Sequence, residues 1–135
     1  MIEVIEVKTK KQWKKFATFP IKLYKDSKYY VPAFVTDDMY MANEKKNFSA
    51  KNCIVKAFLA YKDGVLAGRI AGIIVNESNE KFNQKNVRFS RFDFIDDKNV
   101  AEALIKAVET FGKEYGMEFI HGPWGFNDAD REGML

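Results

Sequence analysis

Residues 87–122 read VRFSRFDFIDDKNVAEALIKAVETFGKEYGMEFIHG, and the fold turns on them. Val87 to Ile95 is rich in β-branched and aromatic residues and reads as a strand. Its apolar positions change phase near Phe92: Val87 and Phe89 keep one parity, Phe92 and Phe94 the other. Such a slip predicts a bulge, or burial on both faces. Asp96 or Asp97 then supplies a helix cap, and Val100, Ala103, Leu104, Ala107, Val108 and Phe111 recur at helical spacing. Gly116 is placed to close that helix in the left-handed conformation. Met117 to His121 is a short strand, bounded by Gly122-Pro123. Strand, helix, strand is a βαβ unit, so the two strands are expected to be parallel with a right-handed crossover.

Upstream, Ile54 to Tyr61 and Val65 to Val75 are β-rich and joined by Asp63-Gly64, a strong hairpin signal. Gly68, Ala71 and Gly72 inside the second strand point to a bulge or a close approach of another backbone. Ile2 to Val7 reads as a first strand. Thr9 caps a helix in which Trp13, Phe16 and Ala17 share a face; Pro20 is expected to interrupt it after about Phe19, with burial continuing at Ile21, Leu23 and Tyr24. Tyr29-Tyr30-Val31-Pro32 is expected to be extended, because the residue before a proline is pushed out of the helical region. Thr36 to Asn52 reads as a long, partly helical loop anchored by Met39, Tyr40, Met41 and Phe48, and Asn76 to Asn86 as a polar loop. A hairpin feeding a βαβ unit gives a mixed α/β (α+β) sheet with helices on its faces, in a single domain over 1–135.

Composition narrows the function classes. The 135 residues are 47% hydrophobic and 30% charged, ordinary for a globular domain and too apolar for disorder. No apolar run approaches the ~20 residues that span a bilayer. The start, MIEVIEVKTKK, lacks the apolar core of a signal peptide, so a cytoplasmic location with no membrane partner is the plain expectation. Cys53 is the single cysteine, which leaves no intrachain disulfide and no cysteine metal site. Net charge is +3 from 22 basic and 19 acidic residues, too even to argue for nucleic acid. Lysines cluster at Lys8, Lys10, Lys11, Lys14 and Lys15, and again at Lys45, Lys46 and Lys51. They read as a solvated helix face and a charged loop, or as a docking surface for an anion such as a nucleotide phosphate.

The order of these elements resembles the GNAT-type acyl-CoA N-acyltransferase fold. Several phrases resemble an uncharacterised bacterial GNAT-like branch: Phe19-Pro20 with Leu23-Tyr24-Lys25, Tyr30-Val31-Pro32, Phe58-Leu59-Ala60, Gly68-Arg69-Ile70-Ala71, Phe92-Asp93-Phe94-Ile95-Asp96-Asp97, and Gly116-Met117 with Gly122-Pro123. The resemblance implies an enzyme that moves an acetyl or other acyl group from coenzyme A to an amine on a small molecule or peptide. It implies that the strand Phe89 to Ile95 pairs with the pantetheine amides and that the helix start, Asp96 to Ala101, receives the diphosphate. Phe94, Ile95, Lys98, Asn99, Val100 and Ala101 are the cofactor-binding residues on this reading. The family's phosphate loop, R/Q-x-x-G-x-G/A, is not matched: Asn99 replaces a glycine and Asp96 stands where a basic or amide side chain is expected. In that fold the sheet also continues past the strand at Met117 to His121, so the sequence is expected to be the N-terminal part of a longer protein. An open sheet edge offers a route to a homodimer.

No catalytic residue is assigned. His121, the only histidine, is either a general base at a strand end or a hydrogen-bonded structural residue. Asp93, between two phenylalanines, must face solvent, a partner or a ligand. Glu109, Glu114 and Glu118 read as solvent-exposed, Cys53 as inert, and Tyr29-Tyr30 as core or as the lining of an acceptor pocket. Three functions stay open: an acyl-CoA-dependent N-acyltransferase; a non-catalytic GNAT-like lobe for acceptor or partner recognition; and, on the lysines alone, a nucleic-acid or ribosome-associated module.

Overall fold

The computed structural model describes residues 1–25, 39–43 and 53–122. The extended segment expected at Tyr29 to Pro32, the lysines at 45, 46 and 51, and everything after Gly122 lie outside them. The described chain runs β1 (Ile2–Glu6), α1 (Lys10–Leu23), β2 (Cys53–Lys62), β3 (Val65–Val75), α2 (Asn76–Lys81), β4 (Asn86–Phe94), α3 (Lys98–Glu114) and β5 (Phe119–His121). The strands form one sheet in sequence order, β1-β2-β3-β4-β5. All neighbours are antiparallel except β4 and β5, which are parallel around α3. The architecture is the mixed α/β sheet that the βαβ reading demands.

The β2–β3 turn has Asp63 at φ 51° and Gly64 at φ 83°, the left-handed pair that matches the twist of the flanking strands. One face of the sheet carries α3, whose Val100, Leu104, Val108 and Phe111 pack on Phe58, Ile70, Ile74 and Val87. Each of those four α3 side chains is fully or almost fully buried, a contribution of about 1.5–3 kcal/mol apiece. The helix sits close because β3 is bare beneath it. A Cβ on Gly68 would lie 2.8 Å from Leu104 Cδ1, and one on Gly72 would lie 2.7 Å from the Phe111 ring. The small residues of β3 therefore mark a close helix approach. α3 ends as expected: Gly116 has φ 76°, its N–H bonds Lys113, and the Met117 N–H bonds Gly112 at 2.8 Å.

The other face carries α1 and the turn at residues 39–43, with Phe16, Met41, Ala57, Leu59, Ala71 and Ile73 in its core. Thr9 and Gln12 form a reciprocal capping box. Two expectations are corrected here. α1 does not end near Phe19 but continues through Pro20 to Leu23. Proline cannot donate to the carbonyl four residues earlier, that of Phe16. The Arg69 guanidinium, reaching up from β3, donates to that carbonyl at 2.9 Å in its place. A helix break was expected because the substitute donor lies 53 positions away in sequence. The second correction is α2: the stretch expected to be a polar loop holds a six-residue helix that buries nothing, so no apolar period could announce it.

Candidate functional site

The site begins where β4 and β5 part company. β5 pairs with β4 only at Asn86, Val87 and Arg88. Beyond that point β4 keeps its bonds to β3, with Phe89 opposite Gly72, Ser90 opposite Ala71, Asp93 opposite Arg69 and Phe94 opposite Gly68. Two steps on β3, from Arg69 to Ala71, face three on β4, from Asp93 to Ser90, so β4 carries one extra residue. Arg91 absorbs it at φ 50°, a left-handed conformation costing a non-glycine residue about 1–2 kcal/mol. The bulge explains the phase slip in the sequence, since it returns Phe92 and Phe94 to the face that holds Val87 and Phe89. Gly122 marks the parting: a Cβ there would lie 2.6 Å from the Phe89 carbonyl.

From Phe89 to Phe94, then, no described strand pairs with the β5 side of β4. Phe89, Phe92 and Phe94 form a ring contact series beside this edge, with centroids 5.6 and 4.7 Å apart. A hollow of about 350 Å³ adjoins it, floored by Phe92, Ala101 and Ile105 and rimmed by Glu102, Lys106 and Glu109.

β4 leads directly into the start of α3. Ile95 N–H bonds the Ala67 carbonyl at 2.9 Å, which fixes the exit of the strand. Asp97, rather than Asp96, is the cap: its carboxylate accepts the Asn99 N–H at 2.9 Å, and its carbonyl accepts Val100 and Ala101 N–H. Lys62 donates to the other Asp97 oxygen. The Lys62 hydrogen bond, then the Asn99 N–H, hold the Asp97 carboxyl below the usual carboxylate range. The same bond raises the Lys62 ammonium above its ordinary value. Asp96, Lys98 and Asn99 are exposed, whereas Val100 is fully buried against β3 and offers only its main chain.

Of the residues expected to hold a cofactor, Phe94 lies on the open edge and Ala101 in the hollow beside it. Ile95, Lys98, Asn99 and Val100 lie on the connection and first turn between them. The amides of Asn99, Val100 and Ala101, which a bound anion would need, are taken by Asp97.

On the α1 face the bulged strand meets a buried polar network. Arg69 is 1% exposed; its Nε donates to Asp93 at 2.8 Å and its ring-stacked guanidinium lies 4.9 Å from the Phe16 centroid. Tyr24, at the end of α1, donates its hydroxyl to the other Asp93 oxygen at 2.9 Å. The sequence singled out Asp93 but not these partners. The only signal for Arg69 was a charged residue within an otherwise apolar, small-residue strand. Nearby, Arg88 is 5% exposed and donates to Ser78 at 3.0 Å, and Arg91 donates to Ser90 at 3.0 Å.

The remaining candidates lie apart from one another. His121 is exposed at the end of β5, opposite Arg88. Glu114 pairs with Lys56 at 3.6 Å and Glu118 with Lys85 at 3.7 Å, while Glu109 stands on the rim of the hollow. Cys53 is half-buried at the start of β2. Among the described residues, no three His, Cys, Asp or Glu side chains converge as metal ligands, and no helix is long and apolar enough to cross a membrane.

No family model matches the sequence. The chain is 32% identical over 127 residues to protein YghO of Escherichia coli (strain K12), a match that covers 93% of this chain and 32% of the relative. The chain therefore spans about a third of the length of that relative. Among solved structures, a predicted acetyltransferase of Clostridium acetobutylicum with acetyl-CoA superposes with a TM-score of 0.60 at 10% identity, covering 90% of this chain and 79% of that one. An aminoglycoside acetyltransferase from an uncultured soil metagenomic sample, in complex with sisomicin, gives a TM-score of 0.59 at 10% identity, covering 99% and 92%. The chain has the fold of the GNAT acetyltransferases.

Proposed function

We propose that this chain is the acyl-CoA-facing part of an N-acyltransferase, which transfers an acyl group from coenzyme A to an amine. The observation that supports it best is that no described strand pairs the β5 side of β4 from Phe89 to Phe94, a bulged stretch that lies beside an apolar hollow and leads into a helix start. A strand edge that no described strand pairs suits a ligand that carries its own amides, and the pantetheine arm is such a ligand. Phe94 and Ile95 would offer it main chain, and Ala101 with Phe92 an apolar wall. The acceptor amine would approach from the α1 face, where Asp93 and Tyr24 lie.

The first turn of α3 does not fit a diphosphate equally well. Asp97 already accepts the Asn99 N–H, and Asp96 adds a second carboxylate; like charges at this range repel. Lys98, exposed on the same turn, is the one positive group among Lys98, Asn99, Val100 and Ala101. This mismatch favours a second reading, in which the chain is a GNAT-like lobe that recognises an acceptor or a partner and leaves the cofactor to other parts of the protein.

Calorimetry with acetyl-CoA separates the two. The acyltransferase reading expects saturable binding by this chain, tightened when Asp97→Asn removes the negative charge but keeps a capping side chain. Binding by the Escherichia coli relative YghO but by neither form of this chain would favour the lobe. Absence of binding in all three would sink the enzyme reading.

A further inference from the structure

The lysine cluster of α1 is not used by the site above. α1 carries Lys10, Lys11, Lys14, Lys15 and Lys22 and has no acidic residue in its sequence. Lys10 and Lys11 occupy the first turn, where the helix dipole disfavours cations. Lys10 with Lys14, and Lys11 with Lys15, are like charges one turn apart and destabilise the helix further. All four are exposed, and none of the ion pairs among the described residues involves them. Local electrostatics set against the fold in this way tends to mark function.

The same helix face borders a hollow of about 520 Å³, lined by Lys10, Trp13, Met39, Tyr40, Ala42 and Asn43. That volume falls in the range of roughly 300–1,000 Å³ usual for small-molecule sites. Its walls are held in place. Trp13 is half-buried and packs edge-on against Phe16, with centroids 5.5 Å apart. The opposing turn is anchored by Met41, which is fully buried, and closed by a 2.9 Å bond from Asn43 N–H to the Tyr40 carbonyl. Lys10 and Trp13 line the hollow, and Lys14 lies one helical turn beyond Lys10.

We propose that this hollow binds a phosphorylated aromatic compound, a nucleotide, with its base against Trp13 and Tyr40 and its phosphate on Lys10 and Lys14. Aromatic side chains accept any base by stacking, and lysines supply the charge that a phosphate needs. The site lies at the first turns of α1, whereas the β4 edge meets the other end of that helix through Tyr24. The inference is therefore independent of the acyltransferase reading.

The test uses Trp13 fluorescence in this chain with Trp124→Phe, which removes the only other indole. AMP is expected to quench Trp13 saturably, and Lys10→Glu/Lys14→Glu to weaken that binding by about tenfold or more without lowering Tm. Lys10→Arg/Lys14→Arg should retain it. Inorganic phosphate and oligoadenylate are titrated in parallel. Saturation by both AMP and oligoadenylate supports the shared chemistry, and the tighter of the two identifies its source. The proposal is overturned if AMP gives no saturable change, if the charge reversal leaves its affinity unaltered, if phosphate alone binds as well, or if oligoadenylate binds and AMP does not.

Discussion

The two faces of the sheet are built on different principles. Under α3 the contacts are apolar and close, with Gly68 and Gly72 letting Leu104 and Phe111 settle on the strand. Under α1 the core is interrupted by Arg69, Asp93 and Tyr24, joined across β3, β4 and the end of the helix. A buried ion pair is seldom more stable than an apolar substitute, so stability alone does not account for the second face. It ties the end of α1 to the strand that carries the bulge. The α3 face serves to hold the sheet; the α1 face serves to hold β4 in a particular shape.

The largest effect should come from separating the ion pair. Asp93→Ala removes the carboxylate that Arg69 and Tyr24 share and so breaks a buried pair, a loss of about 3–5 kcal/mol in denaturant unfolding. The double change Arg69→Met/Asp93→Leu should recover part of that stability, since it removes both charges but leaves the Phe16 carbonyl without its Arg69 donor. If the double variant is as unstable as the single one, the pair is not what distinguishes the faces. Next comes Gly72→Ala, whose added methyl meets the Phe111 ring and should cost about 1–3 kcal/mol through overpacking. Pairing it with Phe111→Leu should give a non-additive recovery.

Tyr24→Phe removes a single hydroxyl from the network, with an expected loss of about 1 kcal/mol. Its effect on the amide spectrum should reach Arg91 and Asp93, which a purely local role at the end of α1 would not produce. The smallest effect is electrostatic. The Asp97 carboxyl is held below its ordinary range, so its stabilising contribution is complete at neutral pH and fades only as acid titrates it in the folded state. Lys62 is shifted upward, so its contribution is complete below its ordinary range near 10.5 and is lost as pH rises through the raised folded value. A Tm profile of Asp97→Asn against the parent should therefore differ across the neutral plateau and converge at both extremes.

The contrast between the faces was only half visible in the sequence. The α3 face announced itself through the helical period from Val100 to Phe111 and the glycines of β3, because apolar periodicity and small residues report packing directly. The bulge was legible in part: Phe92 and Phe94 are out of phase with Val87 and Phe89, a slip that a bulge or burial on both faces would produce, and the β3–β4 register decides for the bulge. The α1 face was not legible. Its logic rests on a carbonyl that Pro20 cannot serve and an arginine far along the chain that serves it, and no local pattern connects the two. The same holds for the helix start, where two aspartates were seen but not the Lys62 contact that fixes which of them caps. Only the polar α2 was missed outright, because a helix that buries nothing leaves no period to find.

On the proposed function, the β4 edge is the binding surface for an acyl-CoA. Backbone amide spectra of the 135-residue chain, recorded during titration with acetyl-CoA, test this most directly. Saturable shifts are expected at Phe89 to Phe94 and at Ala101, larger in Asp97→Asn. Saturating acetyl-CoA that leaves those amides unmoved would contradict it.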